Sequence, residues 1–211
     1  MNTSRKLRSA GVALLAFCAV AAFGPAQSQA GEFTAAEFPA TITGQNVAGF
    51  HVLTTELGVM FCNVSFHGSL PEAAGTLTIT PNYGNCNIAG IETDVNTNGC
   101  DFLFHAGNTL EEHEVAGSMD IKCPEGAVID FGITSMMGCH LTVPAQNGLG
   151  AVKYTNQTMP LDADFDFNIA GLVYKLDAGC PAAGVHGNGE YFGTSTVKAD
   201  HGGMGTGFGV H

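Results

Sequence analysis

The chain has 211 residues, with 19 acidic residues against 7 lysines and arginines, and its formal net charge at pH 7 is −12. Three of the cations, Arg5, Lys6 and Arg8, lie near the N-terminus, and removing that segment leaves four lysines, no arginine and a net charge of −15. This charge balance excludes nucleic acid as a partner, because binding to phosphates requires lysine and arginine to replace the counterions.

The first 30 residues are typical of a secretory signal peptide. A basic start is followed by an apolar stretch over residues 10–23 and by small residues at Ser28 and Ala30 that fit a cleavage site. The apolar stretch is shorter than the roughly 20 residues that a membrane-spanning helix needs. We therefore expect cleavage near Ala30 and a secreted or otherwise extracytoplasmic mature protein that has no membrane span.

Short alternating runs bounded by Gly, Pro, Asn or Asp fill the mature chain. In the run 58–68 one face is apolar, whereas the other carries Val59 and Phe61 before it turns polar. Only residues 32–38 and 109–115 are compatible with a helical turn. The pattern predicts a disulfide-stabilised antiparallel β-sandwich, with a barrel-like sheet as the alternative and little or no helix outside the signal peptide. Further runs lie at 76–80, 100–105, 115–122, 127–134, 138–143, 151–155, 162–169, 171–176 and 190–199.

The mature chain is long enough for one domain with a full core, which we place at residues 31–200. Residues 201–211 follow it as a glycine-rich segment that begins and ends with histidine. Glycine-rich segments at chain ends are often mobile, so we expect a flexible tail outside the packed core.

Six cysteines follow the signal segment, and their even number predicts three disulfides in an oxidising compartment. None of them forms the C-x₂-C pair that is common in zinc sites. If residues 100–104 and 119–123 form the two arms of a hairpin, Cys100 faces Cys123, which predicts one of the pairings. The other pairings stay open. The six residues are Cys62, Cys86, Cys100, Cys123, Cys139 and Cys180.

One segment carries residues that suit a metal ion. His105 ends a predicted hairpin arm, and Glu111, Glu112, His113 and Glu114 lie in the loop beyond it. Imidazole and carboxylate groups suit Zn²⁺ and Cu²⁺, so these five residues form the candidate metal site. The alternative interpretation is a solvated acidic loop tip without a cofactor.

A second acidic segment alternates polar and apolar residues. Asp162, Asp164 and Asp166 share one face of the run 162–169, which predicts an amphipathic strand. A calcium loop starting at Asp162 would need glycine at its sixth position and glutamate at its twelfth, where the chain has Phe167 and Val173. We interpret the acidic face as a solvated edge that discourages aggregation.

The sequence contains no motif for nucleophilic catalysis. There is no G-x-S-x-G turn, and the nearest serine context, around Ser195, lacks the second glycine. Oxidation of the six cysteines would remove a Cys–His nucleophile. Catalytic residues can nevertheless be dispersed along a chain, so a hydrolase stays as an alternative, with His beside Ser or paired carboxylates in a deep pocket as its signature.

Eight segments of the mature chain have a recognisable order. Together they resemble a family of exported, cysteine-bearing all-β proteins of actinobacterial type that has no assigned activity. The resemblance covers most of the mature chain, implies export and a β fold, and transfers no site residue. The segments are ATITG at 40–44, TLTITPNYGNC at 76–86, NGCDFLFH at 98–105, DIKCP at 120–124, GCHLTV at 138–143, GLGAVKYTN at 148–156, GLVYKL at 171–176 and GEYFGTSTV at 189–197.

These observations favour a secreted, non-enzymatic structural, surface or interaction module. The first alternative is an extracytoplasmic protein that binds a divalent metal at the candidate site, and the second is a hydrolase with dispersed residues. The acidic mature chain indicates cations or a basic protein surface as partners.

Overall fold

The computed structural model describes residues 31–47, 49–136 and 138–211, and this part of the chain contains strands and turns but no helix. All strand pairings are antiparallel. The fifteen strands are β1 (Phe33–Ala35), β2 (Ala40–Asn46), β3 (His51–Thr55), β4 (Gly58–Leu70), β5 (Thr76–Ile88), β6 (Ile91–Asn96), β7 (Asp101–Glu111), β8 (Glu114–Lys122), β9 (Ile129–Ile133), β10 (His140–Val143), β11 (Gln146–Asn156), β12 (Ala163–Leu176), β13 (Gly184–His201), β14 (Met204–Gly205) and β15 (Phe208–Val210).

The main sheet closes on itself twice along its length. Four long strands, β4, β5, β12 and β13, pair with β2, β7, β8 and β11 at one end and with β3, β6, β9 and β10 at the other. Each set of eight strands forms an unbroken circle of pairings. We call the first circle, together with β1 and β15, the terminal half, and the second circle the disulfide half.

This architecture confirms the predicted all-β, antiparallel fold with three disulfides. Of the two arrangements that the sequence allowed, the continuous pairing matches the barrel-like sheet rather than two separate layers. Alternating apolar residues point inward along long strands such as β4 and β12, as the period-two pattern requires. The predicted signal peptide and its cleavage site lie outside the described residues.

Aromatic side chains fill the interior of the terminal half. Phe165 is fully buried and lies 4.6 Å from Tyr154 and 5.2 Å from Phe104, measured between ring centroids. Both pairs meet edge to face, the arrangement that aromatic rings favour. Phe33 packs on the same cluster, with its ring centroid 5.3 Å from that of Tyr154.

The three disulfides lie in the disulfide half or at its border. One of them, Cys100–Cys123, joins the open end of the β7–β8 hairpin, where Phe102 pairs with Ile121, and it confirms the pairing predicted from the hairpin. The other two join neighbouring strands of the disulfide half. These pairs are Cys62–Cys86, between β4 and β5, and Cys139–Cys180, which links the start of β10 to the turn after β12.

The two ends of the described chain pair with each other as β1 and β15 and cover the terminal half. Phe208 and Val210 are buried, and the backbone of Phe208 donates to the Leu161 carbonyl oxygen. Residues 208–210 therefore belong to the packed core, whereas we expected the whole segment 201–211 to lie outside it. Phe208 and Val210 each bury an apolar side chain, which more than offsets the freedom that their glycine neighbours provide.

No helix in residues 31–47, 49–136 or 138–211 has the length and apolar character needed to cross a membrane.

Candidate functional site

The structure separates the residues of the candidate metal site. His105 lies on β7 opposite Ser118, and its Nε2 is 3.1 Å from the Asp120 carboxylate. Glu111 and Glu114 pair at the far end of the same hairpin, six residues from His105 along β7, which is about 20 Å in an extended strand. His105 is therefore not a neighbour of the acidic tip.

The tip residues have other surroundings. The Glu114 carboxylate accepts a hydrogen bond from Lys153 Nζ at 2.6 Å. Glu112 and His113 line a surface groove of about 440 Å³ beside the β1–β15 ribbon, which His211 also lines. Within the described ranges, no three His, Cys, Asp or Glu side chains converge in a way that suits a metal ion. The predicted Zn²⁺ or Cu²⁺ site is thus not assembled by these five residues.

The acidic run around β12 adopts the amphipathic strand that the alternation predicts. Asp164 and Asp166 lie on its outer face and accept hydrogen bonds of 2.6 Å from Thr196 and Thr194 on β13. Asp162 precedes the strand and is mostly buried, 3.3 Å from Lys198 Nζ. These carboxylates already have partners from neighbouring strands.

A chain of polar groups crosses the interior of the sheet, and sequence reasoning did not find it. His51, at the start of β3, is buried, with its Nδ1 2.7 Å from the Tyr191 hydroxyl and its Nε2 2.8 Å from Ser195 Oγ. The Tyr83 hydroxyl donates to the Tyr191 hydroxyl at 3.3 Å. Gly193 makes room for the imidazole, because a Cβ at that position would lie 2.6 Å from the ring.

Burial determines the protonation states of these hydrogen-bonded side chains. Removal from water lowers the pKa of His51 to about 4 and raises the pKa values of Tyr83 and Tyr191. All three groups are therefore neutral at pH 7. Because the Tyr191 hydroxyl accepts a hydrogen bond from Tyr83, its own proton is free to be donated to His51 Nδ1. The neutral imidazole then carries its proton on Nε2 and donates it to Ser195 Oγ.

The contact between His51 and Ser195 resembles part of the hydrolase signature, but its surroundings do not suit catalysis. Both side chains are buried, and the hydrogen bonds of the imidazole go to hydroxyl groups rather than to a carboxylate. The adjoining cavity has a volume of about 30 Å³, enough for one or two waters, and most of its lining is apolar. We interpret these hydrogen-bonded side chains as a structural polar network inside the core.

The outer surface is distinguished by the pairing of its cations. Each lysine between residues 31 and 211 lies within 3.3 Å of a carboxylate oxygen, so fifteen of the 19 carboxylates have no lysine partner. The described surface consequently has no unpaired lysine or arginine. The four pairs are Lys122–Asp120, Lys153–Glu114, Lys175–Asp177 and Lys198–Asp162.

Asp120 is a nearly buried carboxylate whose charged form is stabilised by its hydrogen-bond partners. Burial by itself would raise the pKa of Asp120, but hydrogen bonds from the Gly148 backbone, Lys122 and His105 lower it to about 2. The carboxylate is thus ionised throughout the physiological pH range.

A scan against protein-family models, a search of curated proteins and a search of solved structures each found no match to this chain. The resemblance to exported actinobacterial β proteins therefore stays a prediction.

Proposed function

We propose that this protein is an exported, non-enzymatic binding module that recognises a cationic protein or peptide. The three disulfides support an oxidising, extracytoplasmic environment, and the basic and apolar pattern of the first 30 residues supports export with cleavage near Ala30. The resemblance to exported β proteins is in keeping with this location.

One observation carries the choice of partner, namely the complete pairing of the lysines in the mature chain. An isolated lysine can bind an anionic ligand, but here each ammonium group already contacts a carboxylate. The fifteen remaining carboxylates give the surface one dominant sign of charge. Such a field attracts cationic partners and repels anionic ones.

The interior supports a binding role rather than catalysis. The hydrogen bond between His51 and Ser195 is buried beside a small cavity with a mostly apolar lining. A serine nucleophile must reach its substrate, and Ser195 has no exposed surface. The outer strand faces are therefore the surfaces available to a partner.

Calorimetry with two charge-matched peptides tests this proposal. We expect the mature protein to bind a peptide of about 12 residues that alternates Lys and Ser, with affinity that falls about tenfold between low and physiological salt. The control peptide alternates Glu and Ser and should not bind. Equal binding of both peptides, or no binding of the Lys–Ser peptide at low salt, would contradict the proposal.

A further inference from the structure

An apolar patch lies near the boundary between β2 and β3, both of which pair with β13 and β4. Phe192 on β13 pairs with Val52 on β3, and Val52 pairs with Phe61 on β4, so the three side chains form one row on the outer face. Val59 lies two residues before Phe61 on the same face. Phe50, just before β3, packs edge to face on Phe61, with ring centroids 6.2 Å apart.

Four of the apolar side chains in this region are exposed. Phe50 is 50% exposed, Val59 41% and Phe61 37%, and Val47, whose backbone donates to Thr194, is 43% exposed. Elsewhere the outer faces of β2, β5 and β13 carry mainly threonine and other polar residues. A contiguous exposed apolar patch in a soluble domain is typical of a binding surface.

Carboxylates border the patch on two sides. The row from Phe192 to Phe61 continues through Asn87 on β5 to Glu92 on β6, about two strand spacings, or roughly 10 Å, beyond Phe61. On the other side, Glu190 lies two residues before Phe192 on the same face and pairs with Thr54. Both glutamates are exposed, and no lysine occupies these rows.

We propose that this patch, defined as Val47, Phe50, Val52, Val59, Phe61 and Phe192, is the docking site for a cationic peptide segment that also carries apolar side chains. The inference rests on the proposed function and names the chemistry of its partner. Apolar side chains of the segment cover the phenylalanines, while its lysines or arginines reach the glutamates at the border. Apolar burial supplies affinity, and the flanking charges set the orientation.

Charge also decides against a second copy of the chain as the occupant. A second copy would bring the same exposed glutamates to the border of the patch, and its lysines in the described ranges are already paired with carboxylates. Like charges that face each other across an interface disfavour association. A cationic segment has the complementary charge.

A peptide of about 12 residues that alternates Lys and Leu tests the docking site against the Lys–Ser peptide of equal charge. We expect the intact mature protein to bind the Lys–Leu peptide about tenfold or more tightly than the Lys–Ser peptide, and F50S/F61S to abolish that advantage. The matched control is V185S/M204S, which removes two exposed apolar side chains elsewhere and should retain the advantage. F50S alone, outside the strands, serves if the double variant does not fold.

The outcomes separate the two proposals. If the Lys–Ser peptide binds but the Lys–Leu peptide has no advantage, or F50S/F61S keeps that advantage, the docking site is wrong while the proposed function stands. If neither peptide binds, the proposed function fails as well. Binding to phosphatidylcholine vesicles, or self-association in sedimentation experiments, that F50S/F61S abolishes would assign the patch to lipid or to a second copy and overturn the inference.

Discussion

The two halves of the sheet are stabilised in different ways although they share four strands. The terminal half has long strands and an aromatic interior that includes Phe165 and Tyr154. The disulfide half adds four short strands, β3, β6, β9 and β10, of 4 to 6 residues each. It also holds the His51 polar chain and the small cavity.

The difference shows that the two ends of one sheet can be stabilised by different interactions, apolar packing at one end and disulfides at the other. Interlocking rings and the β1–β15 cover provide extensive apolar contact in the terminal half, and the three disulfides lie away from these rings, in the disulfide half or at its border. Short strands provide fewer contacts, and disulfides compensate by restricting the unfolded chain. The apolar patch lies at the joint between the halves, where β2 ends and β3 begins.

Removing an aromatic ring from the terminal half should have the largest effect. Phe165→Ala deletes a fully buried ring that contacts Phe104 and Tyr154, and we expect a loss of about 4 kcal/mol in the free energy of unfolding. Guanidinium unfolding measures it, with the exposed Phe50→Ala as the control. A loss below about 1 kcal/mol would mean that the rings do not hold this half together.

Removing the disulfide with the widest separation should have a slightly smaller effect. Cys139 and Cys180 are 41 residues apart, and C139A/C180A should reduce the free energy of unfolding by about 3 to 4 kcal/mol. Hydrogen exchange should show the loss of protection in β9 and β10 first. Equal loss of protection in β7 and β8 would contradict the distinction between the halves.

Acid should weaken the fold through His51. Its pKa is about 4 in the folded state and about 6.5 when unfolded, so the unfolded chain binds a proton first as the pH falls. This stability is complete above pH 6.5 and is lost between pH 6.5 and 4, by about 3 kcal/mol. Chemical unfolding across this range should show a steeper decline in the native protein than in His51→Gln, and parallel declines would contradict the burial of a neutral imidazole.

A methyl group at Gly193 tests the same region with the smallest expected effect. Its Cβ would lie 2.6 Å from the His51 ring, so Gly193→Ala should cost about 1 to 3 kcal/mol. Gly187→Ala on the same strand is the control, because nothing lies within 4 Å of its Cβ. Thermal unfolding compares the two variants, and similar midpoints would show that the imidazole can move aside.

Local patterns in the sequence predicted much of the fold. Alternation located nine of the fifteen described strands, β4, β5 and β7 to β13, and the hairpin spacing predicted the Cys100–Cys123 pairing, because both depend on short-range geometry. It missed the short strands β1, β3, β6, β14 and β15 and also β2, and residues 32–38, for which the pattern allowed a helical turn, contain β1. Pro81 is a partial exception, since the pattern indicated an end of the run there and β5 continues to Ile88. Pro81 lies just beyond Ile79, the last residue of β5 that pairs with β7, where proline is better tolerated.

The contacts that distinguish the sites come from long-range topology. His51 meets Ser195 across 144 residues, and no local pattern indicates that contact. The candidate metal site was proposed from proximity along the chain, yet an extended strand separates His105 from Glu111. One part of the patch was visible in the sequence, because Val59 and Phe61 interrupt an otherwise polar strand face. Phe192, which completes the patch, comes from a strand that is distant in the sequence.

Mapping amide chemical shifts during titration with the Lys–Leu peptide tests the proposed binding surface most directly. The largest changes should fall on residues 47, 50–54, 58–62 and 190–192, which form the patch and its border, and F50S/F61S should remove them. Changes centred on the acidic tip at residues 111–114, or spread evenly over the acidic residues, would contradict docking at the patch.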